Sequence, residues 1–272
     1  MSSRKPWQPE LVLLFCGAQL LCFSFGILAT VLLNKLSVHG FTKEGDFGNI
    51  LLATLCFQGV TWILIPIFLR LHQVHWRDAF GLRRADFFRD LAWAVAALIV
   101  VLLVVLPLNY LSEIALQKMG WQPESQAAVE LLMGAPLWPT GVYLGIFAVV
   151  LAPVAEEFIF RGVLYRSFKH FPWPALVRLF RAVNMPTFGR LTPGRRFWRI
   201  FAWVGVSLLF ALIHGSVAIF IPLFVLALAL TWLYEKTGSL LAPIVVHSLF
   251  NAANLALLVL ANEFGLQPPA QP

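Results

Sequence analysis

The chain has 272 residues, 60% of them hydrophobic and only 12% charged, with a formal net charge of +7 and a mean hydropathy of +0.80. Soluble globular domains carry roughly 25% charged residues, so that class is excluded. The net positive charge does not point to nucleic acid either, because it is confined to the ends of apolar segments and is absent from any continuous basic face.

A helix needs about 20 mostly apolar residues to cross a bilayer core. The first run of that kind is residues 11–36, too long for a signal-peptide core and closed by no small-residue cleavage pattern, so it is predicted to be a retained helix. The second, residues 50–69, holds Cys56; with Cys16 and Cys22 in the first run, the cysteines are odd in number and lie within apolar segments, which argues against a disulfide framework. Residues 91–111 and 137–155 follow, then 197–213, 216–234 and 240–260. The prediction is an all-α, polytopic transmembrane helical bundle of seven helices, with an undetected eighth as the alternative. All of residues 1–272 form one integral membrane domain, and 137–260 is its chemistry-bearing core.

Of the 20 Lys and Arg residues, 17 lie before the first run, between Arg70 and Arg89, between Arg161 and Arg199, or at Lys236. Only Lys35, Lys43 and Lys118 occupy the alternate loops. The positive-inside rule reads this as a cytosolic N-terminus with cytosolic loops at 70–89 and 165–199, as in a bacterial inner membrane. The second loop also carries Trp173, Phe180 and Trp198, a composition suited to lying against anionic lipid as well as to setting topology.

In so apolar a chain the few ionisable residues at membrane depth are the functional candidates. Glu156, Glu157 and Arg161 occur in VAEEFIFRG. Glu157 and Arg161 are four apart, on one helical face, with the acid N-terminal to the base, the favourable order for a pair. Glu156 points about 100° away and has no local partner. A carboxylate left alone in low dielectric is poised to exchange protons, as a general base must. Pro153, just before, should loosen the helix and leave backbone carbonyls needing partners. His214 precedes Gly215 and Ser216, a predicted helix break. His247 and Asn251 share a face and can donate to a developing oxyanion, with Asn254 nearby. Each has a plainer reading: a Glu157–Arg161 lock, a histidine or an asparagine joining helices.

Glu156-Glu157-Phe-Ile-Phe-Arg161 resembles an EExxxR motif, Phe210-Ala-Leu-Ile-His214 an FxxxH motif, and His247-Ser-Leu-Phe-Asn251 an HxxxN motif. In this order on successive segments, over about residues 137–260, they resemble the CPBP intramembrane proteases. That family includes the type II CAAX prenyl endopeptidases and bacteriocin-processing and immunity-associated proteins. The resemblance implies an intramembrane endopeptidase in which Glu156 activates a water with help from His214, while His247 and Asn251 stabilise the oxyanion. Glu157 and Arg161 would support them. The implied substrate is a hydrophobic or lipid-anchored peptide, prenylated or otherwise, near the cytosolic leaflet of the bilayer, with no nucleic acid partner. No cofactor is expected. Glu156, His214 and His247 are the alternative set for zinc, although no carboxylate is evident in the sequence to orient either histidine.

Two other classes fit parts of the pattern: a membrane scaffold or immunity factor that binds a peptide in the same cavity without cutting it, and a transporter with a proton relay, for which inverted repeats are missing. One expectation is awkward. Glu156 and His247 lie about 8 and 10 Å from the cytosolic loops at 1.5 Å per residue, whereas His214 lies about 20 Å away on the same rise. Their meeting requires the 197–213 segment to start outside the bilayer, tilt or break.

Overall fold

The computed structural model describes residues 7–39, 41, 47–82, 84–121, 141–170 and 195–264. Helix α1 (Pro9–Lys35) opens with proline at a position where its missing N–H costs nothing. Helix α2 (Phe47–Leu71) contains one wide π-turn, Leu55–Gly59. A short α3 (Trp76–Phe80) leads into α4 (Phe87–Lys118). Then come α5 (Val142–His170), α6 (Arg195–Leu212), α7 (Val217–Thr237) and α8 (Leu241–Glu263). Among the described residues every regular element is helical, as the apolar periodicity predicts.

Six of these helices, α1, α2, α4, α5, α7 and α8, are long and apolar enough to cross a membrane. The remaining predicted run, 197–213, is also helical, but α6 has 18 residues and starts with Arg195, Arg196 and Arg199. Its apolar part is therefore about 20 Å long at 1.5 Å per residue, short of a core about 30 Å thick. It does not break midway. The break comes after it, where Gly215 takes φ 67°, a left-handed conformation open to glycine. The turn to α8 is closed in the same way by Gly238, at φ 68°.

The larger departure from expectation is α5. The run predicted to end at 155 continues as helix to His170, so the paired glutamates lie in mid-helix, about 21 Å from its last residue on the same rise. Pro153 does not end it. Its strain is absorbed by a π-turn at Phe147–Leu151, and a second π segment, Phe158–Tyr165, follows the glutamates. The first four residues of the predicted 137–155 run, and the basic stretch with Trp173 and Phe180, lie outside the described residues.

Helix α4 lies against α7 and α8, α6 against α7, and α1 against α2, while α5 touches α6, α7 and α8. Small residues at the crossings, Ala94, Ala97, Ala227 and Ala242, are buried and let backbones approach. Leu13, Phe88 and Leu103 instead stand exposed on outer faces, an arrangement suited to hydrocarbon. One apolar core joins Phe15, Phe68 and Phe158; a second joins Val101, Leu230 and Val246. The chain segment ahead of α1 enters the first of these. Trp7 is only 5% exposed and donates its indole N–H to the Gly162 carbonyl at 2.7 Å, within the second π segment. Gly162 also sits close to Leu240, whose Cδ1 would be 3.2 Å from any added Cβ.

Candidate active site

The middle of α5 presents two carboxylates with opposite environments. The Glu157 side chain is 0% exposed, and its Oε1 accepts from Arg161 at 2.7 Å, with Arg161 also 0% exposed. The sequence spacing predicts this pair. The structure adds a partner 90 positions away: Oε1 of Glu157 also accepts from Nδ1 of His247 at 2.9 Å. The expectation that no carboxylate orients either histidine is therefore corrected, because Glu157 holds the His247 ring. Carboxylates that fix an imidazole tautomer from behind are a recurrent device of active sites. That contact was invisible in the sequence because it depends on how α5 and α8 cross.

Arg161 is fixed in turn. Its second terminal nitrogen donates to the Ala227 carbonyl on α7 at 3.1 Å, and its guanidinium carbon lies 4.9 Å from the centre of the Phe210 ring on α6. A buried guanidinium needs such acceptors and an aromatic face to offset lost hydration. The lock thus ties four helices, α5, α6, α7 and α8, at one level.

Glu156 is placed differently. Its side chain is 10% exposed, makes no ion pair with arginine or lysine among the described residues, and faces Nε2 of His247 with 3.9 Å between Oε2 and nitrogen. That separation is too long for a direct hydrogen bond. The Glu157-anchored imidazole therefore turns its second nitrogen toward Glu156.

His214 stands at the end of α6, with Nδ1 2.7 Å from the Phe210 carbonyl. This bond uses Nδ1–H and leaves the Nε2 lone pair available. No hydrogen bond or ion pair joins His214 to Glu156 among the described residues. What links it to the site is Phe210, whose ring centre is 4.8 Å from that of His214 and 5.7 Å from that of His247. Phe210, the first position of the FxxxH motif, is in the fold the spacer between both histidines and Arg161.

Asn251 is brought to α5 rather than to Glu156. One of its amide hydrogens goes to the Ala148 carbonyl at 2.9 Å. The reason lies in the π-turn. The Ala152 N–H donates to Phe147, five residues back, so Ala148 loses its α-helical donor, and the next candidate, Pro153, has no N–H. The carbonyl left over is the one that Asn251 meets, as the position of Pro153 leads one to expect. Among the described residues nothing accepts the second amide hydrogen. Asn254 bonds back to Phe250 at 3.0 Å and takes no part.

Among the described residues no group of three or more His, Cys, Asp or Glu is arranged to hold a metal ion. Cys16, Cys22 and Cys56 are free thiols.

The family model of the type II CAAX prenyl endopeptidase Rce1-like proteins matches residues 137–253, a range that takes in every residue of the three motifs. No curated protein and no solved structure matches the chain.

Proposed function

We propose that this multi-pass membrane protein, whose residues 137–253 match the Rce1-like family model, is a CPBP-type intramembrane protease that hydrolyses a peptide bond of a hydrophobic or lipid-anchored peptide near the cytosolic leaflet with a water activated by Glu156. The observation that carries this reading is the buried chain Arg161–Glu157–His247, which aims one imidazole nitrogen at Glu156, 3.9 Å away. A structural lock alone would need Glu157 and Arg161 only.

In the proposed reaction, water sits between Glu156 and the substrate carbonyl. Glu156 removes a proton as the water oxygen attacks the carbonyl carbon, and the Nε2 lone pair of His214 orients the second water hydrogen. The carbonyl electrons move to oxygen. Nε2–H of His247, whose Nδ1 lies against the Glu157 carboxylate, and the spare amide hydrogen of Asn251 donate to that oxyanion. When the tetrahedral intermediate collapses, the C–N bond breaks and the leaving amine takes the proton that Glu156 holds. Each atom is accounted for, and no step passes through a metal. In this reading the N-terminus faces the cytosol of a bacterium whose inner membrane holds the protein, a topology supported by the distribution of Lys and Arg along the sequence, and residues 137–260 are the catalytic core.

The test compares membrane peptides in cells making the wild type with those making Glu156→Gln at equal protein level. Wild type should yield a shortened membrane-anchored peptide whose uncut form accumulates with the variant. Identical peptide profiles would leave a peptide-binding scaffold as the better account.

A further inference from the structure

Outside the Glu156 site, one cavity collects unspent positive charge. It lies between α6 and α7 at the arginine-rich end of the bundle, has a volume of about 260 Å³, and is lined by Arg199, Trp203, Trp232, Glu235 and Lys236. Ligand pockets for drug-sized molecules run from about 300 to 1,000 Å³, so this one suits a headgroup rather than a whole lipid or peptide.

Its charge is not what the residue names suggest. Glu235 is already engaged: Tyr165 donates to it at 2.6 Å, and Lys169 pairs with it. Arg199 is exposed and makes no hydrogen bond or ion pair among the described residues, and Lys236 rests its ammonium over the Trp93 ring at 4.8 Å without a carboxylate. Among the described residues nothing therefore accepts from the N–H donors of either cation, although the charge of Arg199 also acts on Glu235. The indoles fix the level. Trp93 and Trp232 meet edge to face at 5.7 Å, and Trp203 donates to the Leu228 carbonyl at 3.0 Å. Tryptophans gather at the boundary between hydrocarbon and headgroups, and basic pockets between membrane helices at that boundary take anionic headgroups.

We propose that this cavity binds the phosphate of an anionic phospholipid, with Arg199 and Lys236 donating to the phosphate oxygens and the exposed face of Trp232 against the glycerol end of the acyl chains. The lipid would then bridge α6 and α7, the helices that supply Phe210 and the Ala227 carbonyl to Arg161.

The test uses full-length protein in detergent titrated with dihexanoylphosphatidylglycerol, with dihexanoylphosphatidylcholine and inorganic phosphate as comparisons. It reads binding, so it stands or falls apart from proteolysis. The anionic lipid should bind, the zwitterionic one far more weakly, and inorganic phosphate should not compete at equal concentration. At about 1 kcal/mol per interfacial cation, Arg199→Gln with Lys236→Gln should weaken binding about 30-fold. Arg199→Lys should keep most of it, and the charge-matched pair Arg70→Gln with Arg77→Gln should change nothing. If the first double variant does not fold, Lys236→Gln alone should cost about fivefold. Unchanged binding in either Lys236 variant, equal binding of both lipids, or full competition by inorganic phosphate overturns the proposal.

Discussion

At the scale of single residues, adjacent glutamates divide into a reachable one and a sealed one, and their substitutions should fail in different ways. Glu156→Gln keeps the shape and removes the proposed base, so its rate should fall about 10²- to 10⁴-fold with an unchanged melting temperature. Glu157→Gln strands a buried Arg161, which costs about 3–5 kcal/mol. It also replaces the carboxylate beside Nδ1 of His247 with a neutral amide, so its activity should drop as well as its Tm. Adding Arg161→Gln should recover part of the stability, since no buried charge is then unpaired. It should not recover activity, because His247 still lacks its carboxylate. Activity per folded molecule and Tm in detergent for the three variants decide the matter. A Glu156→Gln protein that stays active, beside a Glu157→Gln protein that is well folded and inactive, would mean the two roles are reversed.

At the scale of elements, the π-turns explain where backbone groups go once proline interrupts a transmembrane helix. Pro153→Ala supplies the missing N–H, so the Ala148 carbonyl gains an intrahelical donor and no longer depends on Asn251. In that background Asn251→Ala should cost less stability than in the wild type. The double-mutant cycle should show a coupling of about 0.5–3 kcal/mol, and strict additivity would disprove the link. This pairing also marks the limit of what could be read beforehand. Pro153 announces an orphaned carbonyl and Glu157–Arg161 a pair, because both follow from spacing along one helix. The donor from Asn251 and the grip of Glu157 on His247 connect α5 with α8, and no spacing along the chain encodes them. The extension of α5 to His170 is hidden in the sequence for a related reason. Charged residues normally end an apolar run, but here Arg161 and Glu157 cancel within the helix, and Tyr165 and Lys169 are answered by Glu235 of α7.

At the scale of the whole molecule, the arginine-rich ends and the exposed apolar belts define two faces. Single cysteines placed at Arg77 or Arg199 in a cysteine-free background should react with an impermeant thiol reagent only from the cytosolic side, and one at Lys118 only from the other. The reverse pattern would turn the molecule over. Trp7 provides a stability test at the same scale. Trp7→Phe retains the ring contacts with Phe68 and His72 but leaves the Gly162 carbonyl without its donor, at a cost of about 1–3 kcal/mol in thermal or denaturant unfolding. That one bond also has a history in time. Trp7 is translated 155 residues before the glycine it binds, so at about 5–20 residues per second its pocket does not exist for roughly 8–30 s of synthesis. During that interval Phe15 of α1 and Phe68 of α2 lack the cover that Phe158 of α5 later gives them. The newborn chain therefore has a waiting period that the mature protein does not record, and a membrane chaperone that shields apolar helices would find its opening there.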